Sequence, residues 1–215
     1  MRQRDLNEMI KEASIECFLG DLASKLPTPG GGSAAAIMGA MGAALVAMVC
    51  NLTVGKKNYE EVSEEMASLL PRVDDLRTRL LDMVVADVEA FNRVMAAYGL
   101  PRETDSDRQE RSTAIQEALK SATVVPLQCA HACIEVIDLC HVVAGKGNRN
   151  VISDAGVAVV AAHAALRSAA LNVRVNTGAI RDETFVAHAL HDLDSLMQDV
   201  DQRTEAIYQN VLGRL

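Results

Sequence analysis

Tryptophan is absent from this 215-residue chain, and only three phenylalanines and three tyrosines stand in it. The uncharged run from Ser33 to Gly55 therefore lacks the aromatic belt of a membrane span, and it is rich in Ala and Gly rather than Leu and Phe. Its length alone would fit a span, but that composition suits a helix buried at the centre of a bundle. Basic residues are in deficit as well: 21 Lys and Arg face 29 Asp and Glu, a net charge of -8. This balance argues against a general nucleic-acid surface and gives no reason to expect attraction to an anionic membrane. An anionic ligand would need a local basic cluster.

No stretch of useful length alternates apolar and polar residues, so strands are not expected and the architecture reads as all-α. No linker or internal repeat divides the chain, which predicts a single helical domain over residues 1–215. There is no Cys-x-x-Cys pair, and the five cysteines are an odd number without a signal-peptide pattern. Free thiols in a reducing compartment, the cytoplasm, are the expectation. On a helical wheel Cys129, Cys133 and Cys140 share a stripe with Val136 and Val143, while His131, Glu135 and Asp138 point elsewhere, so no metal site is expected. A Gly-x-Ser-x-Gly elbow and a Walker sequence are both missing.

What is present begins with Pro27-Thr28-Pro29-Gly30-Gly31-Gly32-Ser33. Two prolines fix φ, three glycines permit close main-chain approach, and Ser33 is placed to cap the helix that follows. Exposed amides at such a helix start favour a polar or anionic ligand, although a tight packing turn has the same composition. An amphipathic helix is predicted from Met1 to Leu26, on a stripe that includes Leu6, Ile10, Cys17 and Leu22. After the buried run comes a polar joint, Lys56 to Tyr59, then a long periodic helix stopped by Gly99-Leu100-Pro101. Arg102 to Arg111 reads as a polar loop, and helix resumes from Ser112 to Ala144, where Pro126 is expected to kink or divide it. Gly145 to Asn150 forms a second turn, Ser153 is placed to cap a helix reaching Asn176, and a last helix is predicted over Asp182 to Leu212.

One acid breaks the pattern. In the long helix the apolar stripe runs through Val73, Leu76, Leu80, Met83, Val84 and Phe91, and Asp87 falls in its middle. Desolvation there would raise the carboxyl pKa toward the range useful for proton transfer, unless the side chain is merely a structural acid satisfied by neighbours. In the later helix Asp154, Ala158, Ala161, Ala165, Asn172 and Asn176 share a face. An alanine wall with polar ends fits a close helix contact or, less simply, a ligand groove.

Three motifs stand in order: PTPGGGSAAAIMGAMGAALVAMVCNLTVGKKNY at 27–59, DVEAFNRVMAAYGLP at 87–101, and GNRNVISDAGVAVVAAHAALRSAALNV at 147–173. Together they resemble the cyclodeaminase/cyclohydrolase family of folate enzymes, over nearly the whole chain from Cys17 to Tyr208. The resemblance implies a formiminotransferase-cyclodeaminase-like helical fold, a homodimer and a folate cleft, with no metal and no cofactor beyond tetrahydrofolate as the substrate's carrier. Carried onto this sequence it implies substrate binding by Gly30, Gly31, Gly32, Ser33, Lys56, Lys57, Asn148 and Asn150, with Asp87 and Asp154 as catalytic acids. Family members often have a third lysine where this chain has Asn58.

The likeness is strongest to the family's single-domain cyclohydrolases, which implies hydrolysis of 5,10-methenyltetrahydrofolate to 10-formyltetrahydrofolate. Two other readings are kept. A formiminotetrahydrofolate cyclodeaminase would use nearly the same site to release ammonia, and a non-enzymatic helical interaction protein would use the alanine face as a dimer seam.

Overall fold

In the computed structural model, which describes residues 10–215, the uncharged run forms the central helix of an all-helical bundle. The helices are α1 (Ile15–Leu22), α2 (Gly31–Asn51), α3 (Glu60–Tyr98), α4 (Asp105–Lys146), α5 (Ile152–Thr177), α6 (Glu183–Met197) and α7 (Val200–Leu212), with a 3-10 turn at Arg149–Val151 before α5. Small side chains let α2 sit deep among α3, α4 and α5. A Cβ at Gly39 would stand 3.0 Å from Leu80 of α3 and 3.1 Å from Cys133 of α4, and one at Gly42 would stand 3.1 Å from the Ala158 carbonyl of α5.

These neighbours fix the directions. Gly31 of α2 faces Asn172 of α5, whereas Gly42 faces Ala158, so α5 runs antiparallel to α2. Gly39 against Leu80, with Ser33 against Asp87, makes α3 antiparallel too. The alanine face of α5 is thus a close helix contact, as the small side chains favour. Ala35, Ala36, Val46, Val49, Leu76, Leu80, Val136, Ile137, Ala158 and Leu166 are among the buried side chains that make the core continuous. α6 and α7 close the outside through His131–Asp192, Arg203–Asp138 and His163–Asp201 pairs.

By length and composition α2, α4 and the Arg149–Thr177 segment are long and apolar enough to cross a membrane. Half or more of each apolar window is nevertheless buried against other helices, at 56%, 56% and 50%. Burial against protein accounts for much of this hydropathy. The Cys129, Cys133 and Cys140 thiols belong to that buried interior. Burial pushes the Cys50 thiol up to about 11, and a hydrogen bond with Cys129, then burial, pushes Cys133 well up.

Several predicted boundaries are corrected. The helix predicted from Met1 to Leu26 is interrupted at Ala13 and Ser14: residues 10–12 are helical, and α1 begins at Ile15, where Ser14 accepts a 3.1 Å bond from the Cys17 amide; Leu6 lies outside the described residues. Arg102 to Arg111 is not one loop, because Thr104 and Asp107 form a reciprocal capping box that starts α4 at Asp105. Pro126 does not divide α4. A proline cannot donate to the carbonyl four residues back, and the Asn176 amide of α5 donates to that Ala122 carbonyl at 2.9 Å. Ser153 sits exposed inside the first turn of α5 and caps nothing; the Asn148 side chain caps the 3-10 turn ahead of it. The last predicted helix is two, broken where Asp199 turns left-handed (φ 55°) and Val200 is driven into the core.

Candidate active site

The glycine turn and Asp87 meet. Helix α2 starts directly at Gly31 with Gly30 as its cap residue and no capping side chain. Ser33 is therefore not a cap, contrary to the sequence expectation. It lies in the first turn, fully buried, and its hydroxyl donates to Asp87 Oδ2 at 2.7 Å. The carboxylate lies so close over Gly32 that a Cβ there would stand 2.6 Å from Asp87 Cγ. Any side chain at this position would have to displace the carboxylate.

Around this acid the lining is apolar: Ala36, Met83, Pro126, Cys129 and Ala169 come from all four central helices. Burial pushes the Asp87 carboxyl up from its ordinary value, and the Ser33 hydroxyl and amide pull it part of the way back. An acid so placed takes a proton more readily than a solvated one, which is the property a general base near neutrality requires.

The other predicted residues gather at the far end of α2. Gly55 (φ 67°) and Asn58 (φ 72°) turn the chain left-handed around Lys56 and Lys57. An asparagine tolerates that backbone far better than a lysine, which is the physical sense of Asn58 in this turn. Both lysines are exposed and make no ion pair among the described residues. Asn148 is buried, its amide donating to the Leu52 carbonyl at 2.8 Å, its backbone N–H to Thr53 Oγ1 at 2.9 Å, and its Oδ1 accepting from the Asn150 N–H at 3.1 Å. Its polar groups thus pin the second turn to the end of α2. Asn150 is exposed, and Asp154 is half-buried in the first turn of α5 with no side-chain partner among the described residues.

Sequence reasoning missed the residues that hold this end together. The Tyr59 hydroxyl accepts from the Arg149 N–H at 2.9 Å, and the Arg214 guanidinium donates to the Ala144 and Gly147 carbonyls. A Cβ at Gly147 would stand 2.6 Å from Val49, so the turn packs directly on α2. The motif spacing placed Tyr59 beside the lysines but carried no sign of its partner.

The two groups are far apart within one chain. Gly31 to Asn51 is 21 residues, so the helix axis is about 30 Å long. Asp87 lies at its start; Lys56, Lys57, Asn148, Asn150 and Asp154 lie at its end.

Comparison with known proteins adds a family to this geometry. The formiminotransferase-cyclodeaminase family matches residues 14–195. The chain belongs to that family. It is 54% identical over 207 residues to a methenyltetrahydrofolate cyclohydrolase of Methylorubrum extorquens, which covers 96% of this chain and 100% of that protein. It is 32% identical to a formimidoyltransferase-cyclodeaminase of Rattus norvegicus over 97% of its own length, and it spans 38% of that longer protein. The solved structure of a formiminotetrahydrofolate cyclodeaminase from Thermotoga maritima superposes with a TM-score of 0.82 at 32% identity, covering 96% of this chain and 97% of that one. The all-helical architecture is thus the fold of this family.

Proposed function

We propose that this protein is an enzyme that hydrolyses 5,10-methenyltetrahydrofolate to 10-formyltetrahydrofolate, reversibly, with Asp87 as the base. The observation that carries the reading is the half-buried Asp87 carboxylate held by Ser33 at the glycine turn, in a chain alike end to end with a protein named for that reaction. The substrate's bridging carbon, between N5 and N10, is part of an amidinium cation, which an ionised carboxylate attracts. Water adds to this carbon while Asp87 takes one of its protons. The tetrahedral adduct then collapses as the N5–carbon bond breaks, N5 receives the proton held by Asp87, and the remaining hydroxyl proton is released as the formyl group forms. General-base assistance of this kind contributes about 10² to 10⁴ in rate. Asp154 with Asn150 orients the pteridine or the water, the Gly30–Gly32 main chain approaches the ligand, and Lys56 with Lys57 offers charge to the glutamate carboxylates.

The separation of the two groups supports a homodimer whose cleft is shared. Beside them, α2 exposes Met41 and Met48, and α5 exposes Val157, Val160, Leu171 and Val175. A second copy covering this face across a two-fold axis perpendicular to α2 would set the two central helices antiparallel, start against end. Asp87 of one chain would then meet the lysine and asparagine turns of the other. The enzyme is expected in the cytoplasm, with free thiols, and without metal, cofactor, nucleic acid or membrane.

A second reading is favoured by the Thermotoga maritima structure, named as a formiminotetrahydrofolate cyclodeaminase. There N10 attacks the formimino carbon and ammonia leaves. The test is spectroscopic loss of methenyltetrahydrofolate, corrected for uncatalysed hydrolysis, beside an ammonia-release assay on formiminotetrahydrofolate. Hydrolysis with no ammonia release supports the proposal; ammonia release without hydrolysis favours the second reading.

A further inference from the structure

We infer that Ser33 is a positioning residue for Asp87 and not a substrate ligand: its buried hydroxyl fixes the carboxylate at the first turn of α2 and keeps it ready to accept a proton. The inference rests on the reading of Asp87 as the base. A ligand cannot easily reach Ser33, because the residue is 0% exposed. Its one hydroxyl proton is committed to Asp87 Oδ2 at 2.7 Å, and a serine has no second proton to donate. The carboxylate is held from two sides. Ser33 ties one oxygen, while the bare Gly32 backbone lies against the other, where a Cβ would stand 2.6 Å from Cγ.

The surroundings leave this role to Ser33. Facing the carboxylate, α4 brings Pro126 and the Cys129 thiol, α5 brings Ala169, and α3 itself brings Met83. Cys129 is the one titratable neighbour in that lining, and no cation is among it. An ionised acid in an apolar setting needs hydrogen-bond donors, and a hydrogen bond to a charged group stabilises it more than one between neutral groups. Ser33 supplies such donors from both its hydroxyl and its backbone amide. Removal of the hydroxyl leaves the amide as the remaining donor from this residue.

The experiment is the pH profile of kcat/KM for methenyltetrahydrofolate in wild type, Ser33→Ala, Ser33→Thr, Asp87→Asn and the Ser33→Ala/Asp87→Asn double variant. In Ser33→Ala the acidic limb is expected to move up by about one pH unit, with activity above it within about 3-fold of wild type. Ser33→Thr, which keeps the donor, is expected to retain the wild-type limb. In the Asp87→Asn background, Ser33→Ala is expected to cost nothing more. A loss independent of pH, a shifted limb in Ser33→Thr, or a full additional loss in the double variant overturns the inference. Wild-type turnover in Asp87→Asn would instead overturn the assignment of the base, which separates the two failures.

Discussion

At one end of α2 the candidate site is the drier, an apolar lining around one half-buried acid; at the other it is wet and holds two exposed lysines, an exposed asparagine and a half-buried acid. The dry end concentrates chemistry. Burial raises Asp87 toward a useful proton affinity, and the apolar lining keeps competing charges away. The wet end suits recognition, since Lys56 and Lys57 remain hydrated and able to meet carboxylates on a flexible tail. Lysines in direct contact with Asp87 would hold its pKa down, so in a shared cleft they serve best at the far, glutamate end of the ligand. The length of α2 keeps the two environments apart in one chain.

This contrast predicts different kinetic signatures at the two ends. The largest effect belongs to Asp87→Asn, expected to lower kcat by about 10² to 10⁴ without a matching rise in KM. Gly32→Ala should follow, with about a 10- to 100-fold loss in kcat, because the added methyl displaces the carboxylate. Steady-state kinetics on both variants checks these values. At the wet end, joint replacement of Lys56 and Lys57 by alanine is expected to raise KM about 10-fold and leave kcat nearly unchanged. Wild-type KM should also rise with ionic strength, and that salt dependence should fade in the lysine variant.

The smallest effect is on stability. Because the folded protein holds the Asp87 proton more tightly than the unfolded chain does, stability falls as pH rises from the ordinary carboxylate pKa to the raised one, and stays lower above it. Asp87→Asn should therefore raise Tm by about 2–4 °C at neutral pH. That gain should vanish below the ordinary carboxylate range, as thermal melts across pH would show.

Much of the dry end was legible in the sequence, because its signals are local. An uncharged Ala- and Gly-rich run predicts a deeply buried helix, and an aspartate in an apolar stripe is conspicuous on a helical wheel. The role of Ser33 was not legible. A serine after three glycines reads as a cap, and only the tertiary approach of α3 turns its hydroxyl toward Asp87. At the wet end the lysines stood out, but the Tyr59 and Arg214 bonds that pin the turn come from segments distant in sequence. The capping box at Thr104 was readable from spacing yet obscured by the polarity around it. The break at Asp199 contains neither glycine nor proline, and the burial of Val200 beside it is a tertiary contact that the local sequence does not announce.

The shared cleft is most directly tested by subunit complementation. Asp87→Asn chains would be mixed with Lys56→Glu/Lys57→Glu chains under conditions that allow subunits to exchange, and assayed at substrate concentrations well below KM. If Asp87 of one chain works with the lysines of the other, half the mixed population consists of heterodimers with one intact site each, and about one quarter of wild-type activity returns. Activity no greater than the sum of the two parent variants, with exchange verified, would contradict the account and place both ends of the site on a single chain.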